Sequence, residues 1–167
     1  MKPRYYILYS LIIAVGIIID QISKLAVVKL LKPIDDLPLF DGVFHFNYHE
    51  NKGAAFGMLA DQRWIFIVIS TVAIIGIGIY LFFGKASSTL MGVSMALIVS
   101  GGIANMIDRI FLGYVVDFLY FKLIDFAIFN VADSFVCIGA GLMVLALILE
   151  IAAEGKKAKS AEGDNDK

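Results

Sequence analysis

Asp117 and Asp133 stand sixteen residues apart, each in an apolar setting: Val115-Val116-Asp117-Phe118 and Phe129-Asn130-Val131-Ala132-Asp133. Two carboxylates held together cannot both ionise easily, so one pKa rises and the pair supplies an acid and a base near neutrality. Such a pair can deprotonate a water and protonate a leaving amine, which is what amide hydrolysis needs. Spacing alone leaves Asp108 and Asp125 as rival members. Asp117 has the poorest structural excuse, having no cationic neighbour in sequence. Around these carboxylates the chain offers further polar groups in apolar surroundings: Asp20 and Lys24, Asn105, Asp108 and Arg109, and Asn130. Ionisable groups at membrane depth are costly and by default mark functional sites.

Each group also has a plain structural reading. Asp20 and Lys24, at i and i+4, can neutralise each other. Asn105 beside Gly101 and Gly102 can bind helices together. Asp108 and Arg109 can anchor a span at the interface, and Asp133 can cap a helix. Other catalytic arrangements fit less well. The run His49-Glu50-Asn51-Lys52 is followed by Gly53, which breaks a zinc-binding HExxH pattern. His45, Asn47 and His49 could face a metal from one strand, although polar residues on a strand face are the commoner case. Cys137 lies in an apolar run and reads as a small buried residue. No span holds a histidine to serve a serine nucleophile, and the spans lack a Gly-x-Gly-Asp motif.

Positioning these groups requires membrane helices. The chain has 167 residues, of which 60% are hydrophobic and 17% charged, with a formal net charge of −1. Its mean hydropathy is +0.85. This is an integral membrane composition in one domain, without the basic footprint of a nucleic-acid binder. A single cysteine excludes an internal disulfide. Four apolar stretches are long enough to cross a bilayer, at about 5–28, 64–83, 89–108 and 132–150. The first resembles a signal peptide, with Lys2 and Arg4 before an apolar run, but no small-residue cleavage site follows and it reads as a retained helix. The alternation of Phe44, Phe46 and Tyr48 with His45, Asn47 and His49 predicts a strand. Residues 1–153 form the membrane domain, and the polar tail 154–167 is expected to be disordered. The fourteen Lys and Arg residues split evenly between the two sides, so the positive-inside rule returns a tie. The polar residues nonetheless converge on one end of the four spans, opposite the termini.

Five segments in order resemble those of lipoprotein signal peptidase (signal peptidase II), a family of bacterial inner-membrane aspartyl enzymes. They are Asp20-Gln21-x-x-Lys24; Asn51-x-Gly53-Ala54-Ala55-Phe56; Gly101-Gly102-x-x-Asn105-x-x-Asp108-Arg109; Val115-Val116-Asp117-Phe118; and Phe129-Asn130-x-Ala132-Asp133. The resemblance implies an all-α membrane fold of four transmembrane helices, with a small extracytoplasmic β-cradle at about 37–58 between helices 1 and 2. It implies cytoplasmic termini and an active site at the extracytoplasmic face of the inner membrane. It implies a diacylglyceryl-prolipoprotein substrate, cut on the N-terminal side of the lipidated cysteine, entry of that substrate from membrane lipid, and sensitivity to globomycin-type inhibitors. Asp117 and Asp133 would then be the catalytic dyad. Asn51, Gly53, Asn105, Arg109 and Asn130 would bind substrate, Asp20, Lys24 and Asp108 would support them, and neither metal nor cofactor would be needed. Two departures concern loop shape: the Asp117-to-Asp133 connection is short, and Ala127 stands where the family pattern has proline; Asp125 is also an extra nearby acid. The rival reading is a protein that binds or transports lipoproteins through the same polar cluster without cleaving them.

Overall fold

The computed structural model describes residues 3–53, 63–84 and 86–165. The elements run α1 (Pro3–Leu30), β1 (Asp36–Phe40), β2 (Phe44–Asn51), α2 (Arg63–Phe83), α3 (Thr89–Phe111), β3 (Val115–Tyr120), a 3-10 turn (Lys122–Ile124) and α4 (Val131–Asn165). All four helices contain a stretch long and apolar enough to cross a membrane. Large apolar side chains point outward along them, among them Ile7 at 70%, Phe83 at 86% and Ile151 at 69% exposure. Such a surface is stable only against lipid.

The order of burial follows from which helix sits in the middle. About half of the α3 span is buried, far more than of any other span. Helices α1, α2 and α4 each pack on it. Lipid removes most of the hydrophobic drive between helices, so small residues and interhelical hydrogen bonds must hold them. A Cβ on Gly101 would run into the Ala132 carbonyl and come within 2.8 Å of Val136 on α4. One on Gly102 would meet Ile74 of α2 at 3.1 Å. Ser100 donates to the Ile13 carbonyl of α1 at 3.1 Å, closing the third contact of α3. Towards the termini, Tyr9, Leu81, Met91, Met95, Ala96 and Ala146 form the apolar core.

Both ends of α3 are fixed locally. Ser88 caps its start by accepting from the Met91 amide at 3.2 Å. At its end Gly113, at φ +86°, donates back to the Asp108 carbonyl at 3.2 Å. That left-handed residue stops the helix and turns the chain into β3. The sheet is antiparallel in the order β1-β2-β3. The cradle expected between helices 1 and 2 therefore takes its third strand from beyond α3. A bulge between Phe46 and His49 breaks the alternation read from the sequence. One expectation is corrected: Cys137 is exposed on the outside of α4 rather than buried. The α4 backbone is helical through Asn165, its last part being rich in the helix formers Ala, Glu and Lys. The segment Ala54-Ala55-Phe56 lies outside the described residues.

Candidate active site

The connection after β3 explains how residues so far apart in sequence meet. The 3-10 turn at Lys122–Ile124 ends in Asp125, held at φ 47°. The chain then folds back so that Phe129 pairs with Leu119, its amide donating to the Leu119 carbonyl at 3.0 Å. Asn130 thus arrives beside Asp117, and α4 begins one residue later. No proline is needed for this return. Asp125 spends a carboxylate oxygen accepting the Tyr120 hydroxyl at 2.6 Å, on the exposed side of the loop.

Asn130, rather than Asp133, caps α4. Its side-chain oxygen accepts the Asp133 amide at 2.9 Å, while Asp133 Oδ2 accepts the Asn130 amide at 3.1 Å. This reciprocal capping box sets the Asp133 carboxylate at the open start of the helix. The Asn130 side-chain amide donates to Asp117 Oδ1 at 2.6 Å and to Asn105 Oδ1 at 3.0 Å. One residue therefore touches both carboxylates. Asn51, at the end of β2, donates to Asp117 Oδ2 at 2.9 Å and accepts the Gly53 amide at 2.9 Å. Asn105 donates to Asp133 Oδ1 at 2.7 Å.

Beneath this layer lies a charge network. Lys24 bridges Asp20 and Asp108, at 2.8 Å to each, and donates to Asn105 Oδ1 at 2.9 Å. All three ionic groups are at most 4% exposed. The expected Asp20–Lys24 pair exists, but Lys24 serves Asp108 equally. Asp20 also accepts the Ala132 amide at 2.8 Å, an anion at the positive end of α4. Asp108 accepts the Val116 amide at 3.2 Å and so ties α3 to β3. It is a buried, paired group rather than an interfacial anchor. Arg109 reaches the Gly53 and Asn105 carbonyls at 3.4 Å and lies over the Phe66 ring of α2 at 5.2 Å.

The ten residues to which the resemblance assigns site roles thus gather at the sheet end of the bundle. Gln21, to which the sequence reading gave no role, belongs with them: it donates to Asp108 at 2.9 Å and to the Ala104 carbonyl at 3.3 Å. The only signal for it was its place inside the first-span motif. His45 and His49 do not cooperate. His45 is buried and bonds Asp36 at 2.9 Å, whereas His49 is exposed beyond the bulge. Burial first, and the Asp133 charge second, push the Asp117 carboxyl up to about 7, against the opposing donors Asn51 and Asn130 and the charge of Lys24. Lys24 is the cation that the sequence around Asp117 lacks.

Fold and site define a multi-pass membrane protein with a carboxylate pair, Asp117 buried and Asp133 half-buried, suited to acid–base chemistry. The profile of the family described as Signal peptidase (SPase) II matches residues 12–149, and the chain belongs to that family of peptidases. A lipoprotein signal peptidase of Brevibacillus brevis is 43% identical over 149 residues, covering 89% of this chain and 97% of its own length. One of Halalkalibacterium halodurans is 40% identical over 156 residues, covering 92% and 99%. A bacterial membrane enzyme solved by the in meso method at 2.3 Å resolution superposes with a TM-score of 0.78 at 31% identity, covering 87% of this chain and 90% of its own. Family membership decides for a peptidase over a non-cleaving binder.

Proposed function

We propose that this chain removes signal peptides from diacylglyceryl-modified prolipoproteins, hydrolysing the amide on the N-terminal side of the lipidated cysteine with Asp117 and Asp133. The observation that carries this reading is Asn130 joining both carboxylates, while every other buried acid of the cluster is compensated by Lys24. The names of the relatives supply the substrate class. One carboxylate takes a proton from water, and the hydroxide oxygen adds to the scissile carbonyl carbon. The other gives its proton to the amide nitrogen as the C–N bond breaks, leaving a new carboxylate and the free amine of cysteine. Burial and the Asp133 charge raise the Asp117 carboxyl to about 7, so it can carry the proton this exchange requires near neutral pH. A substrate with two acyl chains enters laterally from lipid, which sets its scissile bond at the end of the bundle where the dyad lies. The face carrying the dyad is extracytoplasmic, the termini are cytoplasmic, and a globomycin-type inhibitor occupies the same cleft.

The test is incubation of purified protein in mild detergent with a diacylglyceryl-modified lipobox peptide, the products being read by mass spectrometry. The expected product begins at the lipidated cysteine and is missing with Asp133→Asn. Intact peptide in both samples, with the protein folded, would overturn the reading.

A further inference from the structure

The groups around the dyad are largely committed to one another. Lys24 has all three acceptors it can serve, and the Asn130 side-chain amide has used both protons. Among the described residues, Asn51 and Asn105 each spend one amide proton on a carboxylate and keep the other. Arg109 leans on two backbone carbonyls and an aromatic ring. Few groups of this shell remain to hold an extended peptide beside the carboxylates.

One group outside it is placed to do so. In the β2–β3 register His49 stands directly opposite Asp117. Residues opposite each other in an antiparallel pair share a sheet face, with Cβ atoms ~4.5–5.5 Å apart. The bond from Asn51 to Asp117 fixes which face that is. Asn51 lies two residues beyond His49, hence on the same side, and it reaches Asp117 diagonally at 2.9 Å. His49 therefore stands beside the dyad on the central strand of the sheet. It is exposed, and no hydrogen bond, ion pair or ring contact engages it among the described residues. His45 is its opposite in every respect, being 2% exposed and held by Asp36. A neutral imidazole presents one donor and one acceptor, which matches the alternating N–H and C=O of a peptide main chain.

We propose that His49 is a substrate-contacting residue that hydrogen-bonds the peptide main chain next to the scissile amide. This rests on the peptidase reading above and adds a residue to it. The contact is made in the bound substrate and persists in the transition state, so its loss acts on KM more than on kcat. With the lipobox peptide, His49→Ala is expected to raise KM roughly three- to tenfold, the worth of one neutral hydrogen bond, with kcat within about twofold. His49→Gln, which keeps a donor and an acceptor, restores most of the loss, which a purely structural residue would not require. A second measurement is independent of turnover. In Asp117→Asn protein with isotope-labelled histidine, adding the lipopeptide shifts the His49 ring resonances and leaves those of His45 in place. Wild-type cleavage with His49→Ala kinetically unchanged overturns the contact and leaves the reaction standing. Binding of the peptide without movement of the His49 resonances also overturns it. Shifted His49 resonances without wild-type cleavage support the contact and overturn the reaction.

Discussion

Asp117 is 1% exposed, accepts one amide proton on each oxygen, and still has its pKa raised to about 7. The donors favour the charged form, but desolvation and Asp133 outweigh them. The consequence for stability has a definite sign. Against an ordinary value of 3.8, the native protein holds a proton that the unfolded chain has lost between about pH 4 and pH 7. Linkage then makes this group's contribution greatest below pH 4, falling as pH rises to about 7 and level beyond it. Thermal unfolding in detergent across pH 4–8 is expected to show that decline, and Asp117→Asn to remove it. An unchanged slope in the variant would assign the titration elsewhere. The same carboxylate separates the candidate dyad from its rivals. Asp117→Asn is expected to lower kcat by ~10³-fold or more, whereas Asp125→Asn, which costs only an exposed bond to Tyr120, leaves kcat within about twofold. Asp117 and Asp133 stand out in the sequence as acids in apolar runs, but spacing leaves Asp108 and Asp125 as rivals, and the family resemblance alone singles out the two. Asn130 as the cap of α4 and His49 as the neighbour of Asp117 are not legible there. The first depends on where a helix starts, and the second on a bulge that no local pattern announces.

Between residue and molecule, the site depends on how closely α4 approaches α3. Gly101 faces the Ala132 carbonyl, one residue before Asp133, and Gly102 faces the end of a flexible Ile74 side chain. Two adjacent glycines should thus respond differently to the same change. Gly101→Ala forces backbone apart at the first turn of α4 and moves the Asp133 carboxylate. A displacement of about 1 Å at a reacting group can cost ~10²-fold, so kcat should fall by roughly ten- to a hundredfold. Gly102→Ala should leave it within about twofold, as Ile74 can rotate away. Equal losses would place the constraint in helix geometry rather than in the contact with α4. Lys24 is the electrostatic counterpart of this packing, tying α1 to α3 beneath the candidate dyad. Lys24→Met strands Asp20 and Asp108 without a counter-charge, at a cost of about 3–5 kcal/mol in unfolding experiments. The four spans were legible because length and hydropathy define them. The sheet was legible only in part, since Val115–Tyr120 becomes a strand by pairing with a segment more than sixty residues earlier. Such non-local pairing leaves little trace in the strand itself.

At the scale of the whole molecule, the chain places its sheet and the Asp117–Asp133 pair at one end of the bundle and its termini at the other, yet its charges do not say which end faces the cytoplasm. The fourteen cationic residues divide evenly, and several of those at the sheet end serve other partners: Lys24 holds two carboxylates, Arg109 lies over Phe66, and Lys32 pairs with Glu50. Basic residues engaged in this way are poor reporters of topology, because the positive-inside rule describes charges in short flanking loops. Orientation therefore has to be read chemically. Cys137 is the only cysteine, so Cys137→Ser gives a clean background in which one new thiol can be introduced at a time. Asp41 lies in the turn between β1 and β2 and is 94% exposed, while Ser160 lies in the tail. A membrane-impermeant maleimide added to intact spheroplasts is expected to label Asp41→Cys at once and Ser160→Cys only after lysis. That result puts the dyad on the side where secreted precursors emerge and the tail in the cytoplasm. The reverse pattern would place the carboxylates on the cytoplasmic side, where a precursor still spanning the membrane could not present a lipidated cysteine to them.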